Sequence, residues 1–245
     1  STGTFQNAQE EHTIVKRELD GEADGVIVEP YSSEADVILP TESAKPVVLV
    51  GTGIETDRLF TSVMTDHGKL GKSLADAVIQ GKAVKVGILS GNQSQLGMRQ
   101  RLKSVKDKLE EVGIEISWIL SEKELDKKMR NVEYFAEQPV DTVISLDNDD
   151  TEKAVDIILN DDRISWKLYG EGRSEKLIYY LDKGTIQELA VPNEYYMGYQ
   201  SIVLAAQNIR YYTDKTEQAE VEFYMVSKDN LYDEETSRIL FPAIR

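Results

Sequence analysis

Residues 84–120 read VKVGILSGNQSQLGMRQRLKSVKDKLEEVGIEISWIL, and the order of patterns inside them decides the fold class. Val84–Leu89 is a short, β-branched apolar run of strand length. Met98, Leu102, Val105, Leu109 and Val112 then recur at intervals of three and four, which places them on one helical face. Gly113 follows at once, where a helix C-terminus favours glycine. Ile114–Leu120 is a second strand-like run. A strand, a helix and a strand in succession predict a parallel pair joined by a crossover.

Working outward, the same rhythm returns. Strand-like runs occur at Gly25–Val28, Pro46–Val50, Thr142–Leu146 and Lys167–Gly170, and Leu70, Leu74, Ala77 and Val78 mark another helical face. Alternation of this kind predicts an α/β fold with parallel sheets covered by helices on both faces. Before the first run, Phe5, Ala8, His12, Val15 and Leu19 form a helical stripe, so the sequence enters the repeat on a helix. His12 on that stripe reads as a packed residue. Towards the end, a strand finishing near Ala190 is followed by a turn at Pro192–Asn193. A helix bearing Ile202, Ala205, Ala206 and Ile209 comes next. A polar linker, Thr213–Gln218, leads to a last strand, Val221–Val226.

Composition removes whole classes of function. Lys and Arg number 28 against 44 Asp and Glu in 245 residues, a net charge of −16. Such a surface repels nucleic acid and anionic membrane, because phosphate binding needs clustered cations. No apolar run reaches the roughly 18 residues of a membrane span. Cysteine is absent, so disulfides, thiol nucleophiles and thiolate-bound metals are excluded. The histidines are His12 and His67, too few for most histidine-based acid–base schemes.

The motifs point to binding rather than catalysis. Gly51-Thr-Gly53 and Gly170-Glu-Gly172 each lack the third glycine of a dinucleotide loop, and no Gly-Lys-Ser/Thr ending marks a phosphate loop. No Gly-x-Ser-x-Gly elbow is present. We expect no catalytic residues, no metal and no cofactor. The acidic run Asp147-Asn148-Asp149-Asp150 follows a strand and has three readings. Asp150 caps a helix over Thr151–Leu159, the run contacts a polar ligand at the strand carboxyl ends, or it holds Mg²⁺ or Ca²⁺.

Six segments in order resemble the sugar-binding branch of the type I periplasmic binding proteins, the ribose- and galactose-binding-protein type. Ala23–Pro30 is similar to the family's third strand and Lys45–Val50 to its fourth. Val63–His67, with Gly68 and Gly71, resembles its crossing into a second lobe. Val86–Gly91, leading to Arg99 and Arg101, resembles the strand and helix that carry a ligand-binding arginine. Asp141–Asp149 is similar to the strand ending in a ligand-facing Asn-Asp, and Met197–Tyr199 to the helix of the return crossing. The resemblance spans nearly the whole chain and extends to effector domains of the lactose-repressor type.

It implies two similar lobes, each a parallel sheet flanked by helices, joined by three crossings near residues 66, 193 and 220. Residues 1–66 with 193–219 would form the first lobe, lacking its usual opening strand-helix-strand. Residues 67–192 with 220–245 would form the second. The lobes would hinge onto a small, sugar-like solute held by Arg101, Asn148 and Asp149. The chain also departs from the pattern. Gly51-Thr52 stands where sugar receptors have Asp-Arg, and Gly172, with Glu171 beside it, where they have aspartate. Val191 or Pro192 replaces a glutamine, and no aromatic lies near Glu124. Thr52, Glu171 and Tyr195 (with Tyr196 beside it) therefore join the candidates, and a simple pentose or hexose bound in the usual manner is not expected.

The function so implied is extracytoplasmic solute capture for an ABC transporter or membrane sensor. An upstream lipid anchor would tether the protein, which itself inserts into no membrane. The alternatives are a repressor effector domain, or a sensory or interaction module with a degraded pocket. The missing opening also predicts that residues 25–28 form a sheet edge that something else must cover.

Overall fold

Asn7 opens the first helix: its backbone is extended and its side chain accepts the N–H of Glu10 at 2.9 Å. The structure, a computed structural model, describes residues 5–34, 45–57, 60–129, 133–211 and 216–241. Helix α1 (Ala8–Asp20) precedes strands β1 (Val26–Val28), β2 (Val47–Gly51) and β3 (Thr61–Met64). There follow α2 (His67–Gln80), β4 (Lys85–Leu89), α3 (Leu96–Glu111), β5 (Glu115–Leu120), α4 (Glu122–Lys128) and α5 (Glu133–Glu137). Next come β6 (Thr142–Ser145), α6 (Asn148–Asn160), β7 (Lys167–Glu171), α7 (Glu175–Lys183) and β8 (Ile186–Pro192). The chain closes with α8 (Glu194–Tyr211), β9 (Gln218–Glu220), β10 (Phe223–Ser227) and α9 (Glu234–Leu240).

These elements divide into two units. The first comprises residues 1–66, 94–97 and 193–222. Its sheet runs β1-β2-β3-β9, every pairing parallel. Successive side chains point to opposite faces. Val28 and Leu49 pack with Val15 and Leu19 of α1, while Val48 and Val63 pack with Met197, Leu204 and Ala205 of α8. Among the described residues β1 has β2 as its one neighbour, and Ile27 is 41% exposed. The strand lies at the edge, as the sequence predicts, and no covering strand is among the described residues.

The second unit comprises residues 67–93, 98–192 and 223–245. Its sheet runs β10-β8-β7-β6-β4-β5, parallel except that the edge strand β10 pairs antiparallel with β8. Here both faces are covered. Val143, Leu168, Leu189 and Val191 face a core with Leu177 and Leu181 of α7, and Ile144, Tyr169 and Ala190 face Leu70, Leu74 and Val78 of α2. Gly113 takes φ 75°, the left-handed turn expected after α3.

Several expectations change. The last predicted strand, Val221–Val226, begins two residues later, as β10 at Phe223 in the second sheet, and the short β9, ending at Glu220 in the first sheet, was not expected. Val221 stays with the first core, its N–H donating to the Met64 carbonyl at 2.9 Å. The predicted face of α8 is also turned. Ile202 is 63% exposed and Ala206 is exposed, while Met197, Ser201 and Leu204 are buried with the predicted Ala205. This helix carries apolar residues on every side, so periodicity alone could not choose its face. Val112 lies past the end of α3 and is half exposed. The Thr213–Gln218 linker falls partly outside the described residues.

Candidate functional site

In the second unit β4, β6 and β7 are parallel, so their carboxyl ends share one edge. Arg101, on the second turn of α3, reaches this edge and is 5% exposed. Its Nε donates to His67 Nδ1 at 3.0 Å, and Nη1 donates to the Leu146 carbonyl at the end of β6. Nη1 also lies 3.3 Å from Glu171 Oε2, at the end of β7. Two predicted residues thus form one buried ion pair, with His67 as a partner that sequence reasoning missed. A guanidinium suits this place because it holds several acceptors in one plane.

Asp147, not Asp150, caps α6. Its backbone is extended and its Oδ1 accepts the Asp150 N–H at 2.8 Å. The cap reading of the acidic run survives, moved back by three residues because the helix begins at Asn148. The Asp150 carboxyl is fully buried, accepting the Gly91 N–H at 3.2 Å and meeting Lys153 Nζ at 3.3 Å. Burial pushes its pKa up, helped by the Asp147 carboxylate and opposed by Lys153. Asp147 is pushed up too, by burial first and then by the carboxylates of Asp149 and Glu122, against the Asp150 N–H and Arg101. Two acids this close titrate as a pair. Among the described residues no group of three or more acidic or histidine side chains is placed to hold a metal ion.

Asn148 opens α6. Its Oδ1 accepts the N–H groups of Arg173 and Ser174 at 3.2 and 3.3 Å, tying down the turn after β7. Its amide nitrogen lies 3.4 Å from Asp149 Oδ1 and from Glu152 Oε1. The expected double role of Asn148 is therefore partly taken: its acceptor serves the backbone. Asp149 is exposed beside it. Gly172 explains a departure seen in sequence. Its φ is +134°, and a Cβ there would stand 2.5 Å from Asn148 Oδ1, so no aspartate fits.

The first unit's strand carboxyl ends present hydroxyls and acids. Thr52, after β2, is buried and accepts the Gly97 N–H at 2.9 Å. Thr65, after β3, is 2% exposed, and its hydroxyl has no hydrogen-bond partner among the described residues. Tyr195 lies on α8, 71% exposed, with Tyr196 and Tyr199 exposed and stacked beside it. Arg101, Glu171, Asn148 and Asp149 thus share one sheet edge, while Thr52 and Tyr195 belong to the other unit.

No curated protein matches the sequence. Solved structures do match in fold. A carbohydrate transporter solute binding protein from Agrobacterium radiobacter, in complex with D-arabinose, superposes with a TM-score of 0.85 at 16% identity. The match covers 96% of this chain and 84% of that one. The Caulobacter myo-inositol binding protein gives 0.81 at 18% identity, covering 95% and 83%. A glucose-galactose binding protein from Geobacillus stearothermophilus gives 0.79 at 22%, covering 92% and 84%. The family model described as periplasmic binding protein domain matches residues 2–212, and the chain belongs to that family.

Proposed function

We propose that this protein is a receptor, not an enzyme, that captures a small polar, sugar-like solute at the carboxyl ends of its parallel strands. The observation that carries this reading is the cluster at the second sheet's edge. Arg101 and Glu171 are fixed by mutual pairing, with Asn148 and Asp149 presented next to them. In open parallel sheets ligands settle outside the strand carboxyl ends. The unpartnered Thr65 hydroxyl supplies a buried polar group at the corresponding edge of the first unit. In this reading the two lobes are the two units, residues 1–66, 94–97 and 193–222, and residues 67–93, 98–192 and 223–245. The bound forms of proteins similar in fold, with D-arabinose and myo-inositol, support a polyhydroxylated ligand. The protein works outside the cytoplasm, held by a lipid anchor, and passes its solute to an ABC transporter or membrane sensor.

A thermal-shift screen against aldoses, polyols and nucleosides tests this. A ligand at about 100 times its Kd stabilises by about 2.7 kcal/mol, so one polyhydroxylated compound should shift the transition clearly. A second reading, an interaction module, is favoured by the exposed Tyr195, Tyr199 and Ile202 on α8. A flat screen across all compounds supports that module and removes the receptor.

A further inference from the structure

Glu11 looks in sequence like one more surface acid beside Glu10, yet it is fully buried. It sits on α1 and reaches the loop that follows β1. Its Oε1 accepts the Tyr31 N–H at 3.1 Å, and the Ser32 N–H also bonds to its carboxyl. Its other oxygen is buried with no hydrogen-bond partner among the described residues. The two N–H groups favour the ionised carboxyl but do not outweigh its burial, which resists a charge far more than a neutral acid.

The loop is a junction of the first unit. Ser33 donates to the Ser94 carbonyl at 2.8 Å and accepts from the Glu55 N–H at 2.7 Å, and Gln95 Nε2 donates to the Pro30 carbonyl at 3.0 Å. It stands at the carboxyl end of β1, on the edge assigned above to the ligand. We propose that Glu11 is a positioning residue for that edge: its uncharged carboxyl clamps Tyr31–Ser33 from beneath, and ionisation loosens the clamp. This assignment rests on the receptor reading for its link to the ligand, and for the clamp on the burial of Glu11 and its hydrogen bonds to the loop.

Burial drives the carboxyl up to about 7, against the Tyr31 and Ser32 N–H groups. The ionisable residues nearest to it along α1 and the loop are Glu10, His12, Lys16, Glu29, Tyr31 and Glu34, with Glu55 bridged to Glu34. None of these supplies a charge to the shift, which is a matter of desolvation. The clamp is therefore closed on the acid side of neutrality and opens above it.

The test follows the Tyr31 and Ser32 backbone amides by NMR from about pH 5.5 to about pH 8.5, in the wild type and in Glu11→Gln, a neutral isostere that keeps the acceptor oxygen. In the wild type both amides should titrate with a midpoint near the Glu11 value of about 7 and stay still in Glu11→Gln. Affinity for D-arabinose, D-galactose and myo-inositol should fall severalfold across the same range in the wild type and stay level in the variant. Glu11→Ala, which removes the acceptor, should weaken binding at every pH. Amides that are silent in the wild type, or that titrate alike in both proteins, overturn the clamp. Amides that titrate while affinity stays level overturn its link to the ligand edge. If none of the sugars binds at any pH, the receptor reading falls while the amide titration still decides the clamp.

Discussion

Arg101 in the second unit and Glu11 in the first are buried charges held in opposite ways. At the second sheet's edge Arg101 meets the counter-charge of Glu171. In the first unit the buried Glu11 accepts from backbone N–H groups, and its other oxygen has no partner among the described residues. A paired charge resists change in pH and is costly to break. An unpaired one is cheap to neutralise and sensitive to pH. Two units of similar architecture thus combine a rigid polar anchor with a titratable one.

Breaking the anchor gives the largest expected effect. Arg101→Ala leaves Glu171 buried without its cation and strips the Leu146 carbonyl of a donor. Removing one partner of a buried pair costs about 3–5 kcal/mol, measured as a lower urea midpoint with unchanged slope. The double replacement Arg101→Met with Glu171→Leu should recover most of that loss, because both desolvation penalties vanish together. A single variant within about 0.5 kcal/mol of wild type, the usual range for surface changes, would show that the pair holds nothing together.

The titratable side is sharpened by pH. Glu11 has a folded value of about 7 against an ordinary 4.5. The folded protein therefore binds this proton more tightly than the unfolded chain. The stabilisation is complete at and below the unfolded value and is lost as pH rises through about 7. The most this can contribute is on the order of 3 kcal/mol, since each tenfold gain in proton affinity is worth about 1.4 kcal/mol. The Asp147–Asp150 pair, shifted the same way, adds a fall of the same sign. Urea denaturation in steps from acid to mild base should show stability decreasing, with the Glu11→Gln curve the flatter of the two. Rising stability over this interval would contradict both sites.

Binding separates anchoring from recognition. If Arg101 also meets the solute, Arg101→Ala weakens binding by about 1.5–3 kcal/mol, the range for a charge-assisted hydrogen bond, measured calorimetrically where the variant stays folded. An unchanged affinity would leave Arg101 as a purely internal support. A smaller effect lies beside it. Asp147→Ala removes the α6 cap and should cost about 1 kcal/mol, whereas Asp147→Asn keeps a good cap and relieves Asp150 of its neighbouring charge. Above neutral pH the asparagine variant should match or exceed the wild type in thermal stability.

Much of the fold was legible because β4, α3 and β5 carry unmixed periodicities, and a strand between two helical layers needs apolar residues on both faces. Strand β3 was not read as a strand because its first residues, Thr61 and Ser62, are polar yet buried at 4% exposure each. The run after residue 220 hid a switch of sheets, since apolar character does not record which core a strand joins. At the site, Arg101 and Glu171 were found through positions that resemble a family, but their pairing is tertiary and left no trace in spacing. Asp147 and Glu11 were missed for a common reason. A carboxylate in an acid-rich chain looks solvated until the residues folded over it are known.

The smallest expected effect returns to the comparison through α8, which offers one face to the first sheet and leaves the other uncovered. Leu204, 6% exposed, packs with Val48 and Val63. Truncating such a residue to Ala costs roughly 2–5 kcal/mol. Ile202, two positions earlier and 63% exposed, has no core to lose. Ile202→Ser should therefore change unfolding stability by less than about 0.5 kcal/mol. Tyr195→Ser and Tyr199→Ser, on the same exposed side, should behave alike. If the receptor reading holds, Ile202→Ser and Tyr199→Ser also leave sugar affinity unchanged. If α8 is instead the contact face of an interaction module, they lower recovery of a partner complex while the unfolding curve stays in place. A marked loss of stability from Ile202→Ser alone would mean that its side chain is covered in solution.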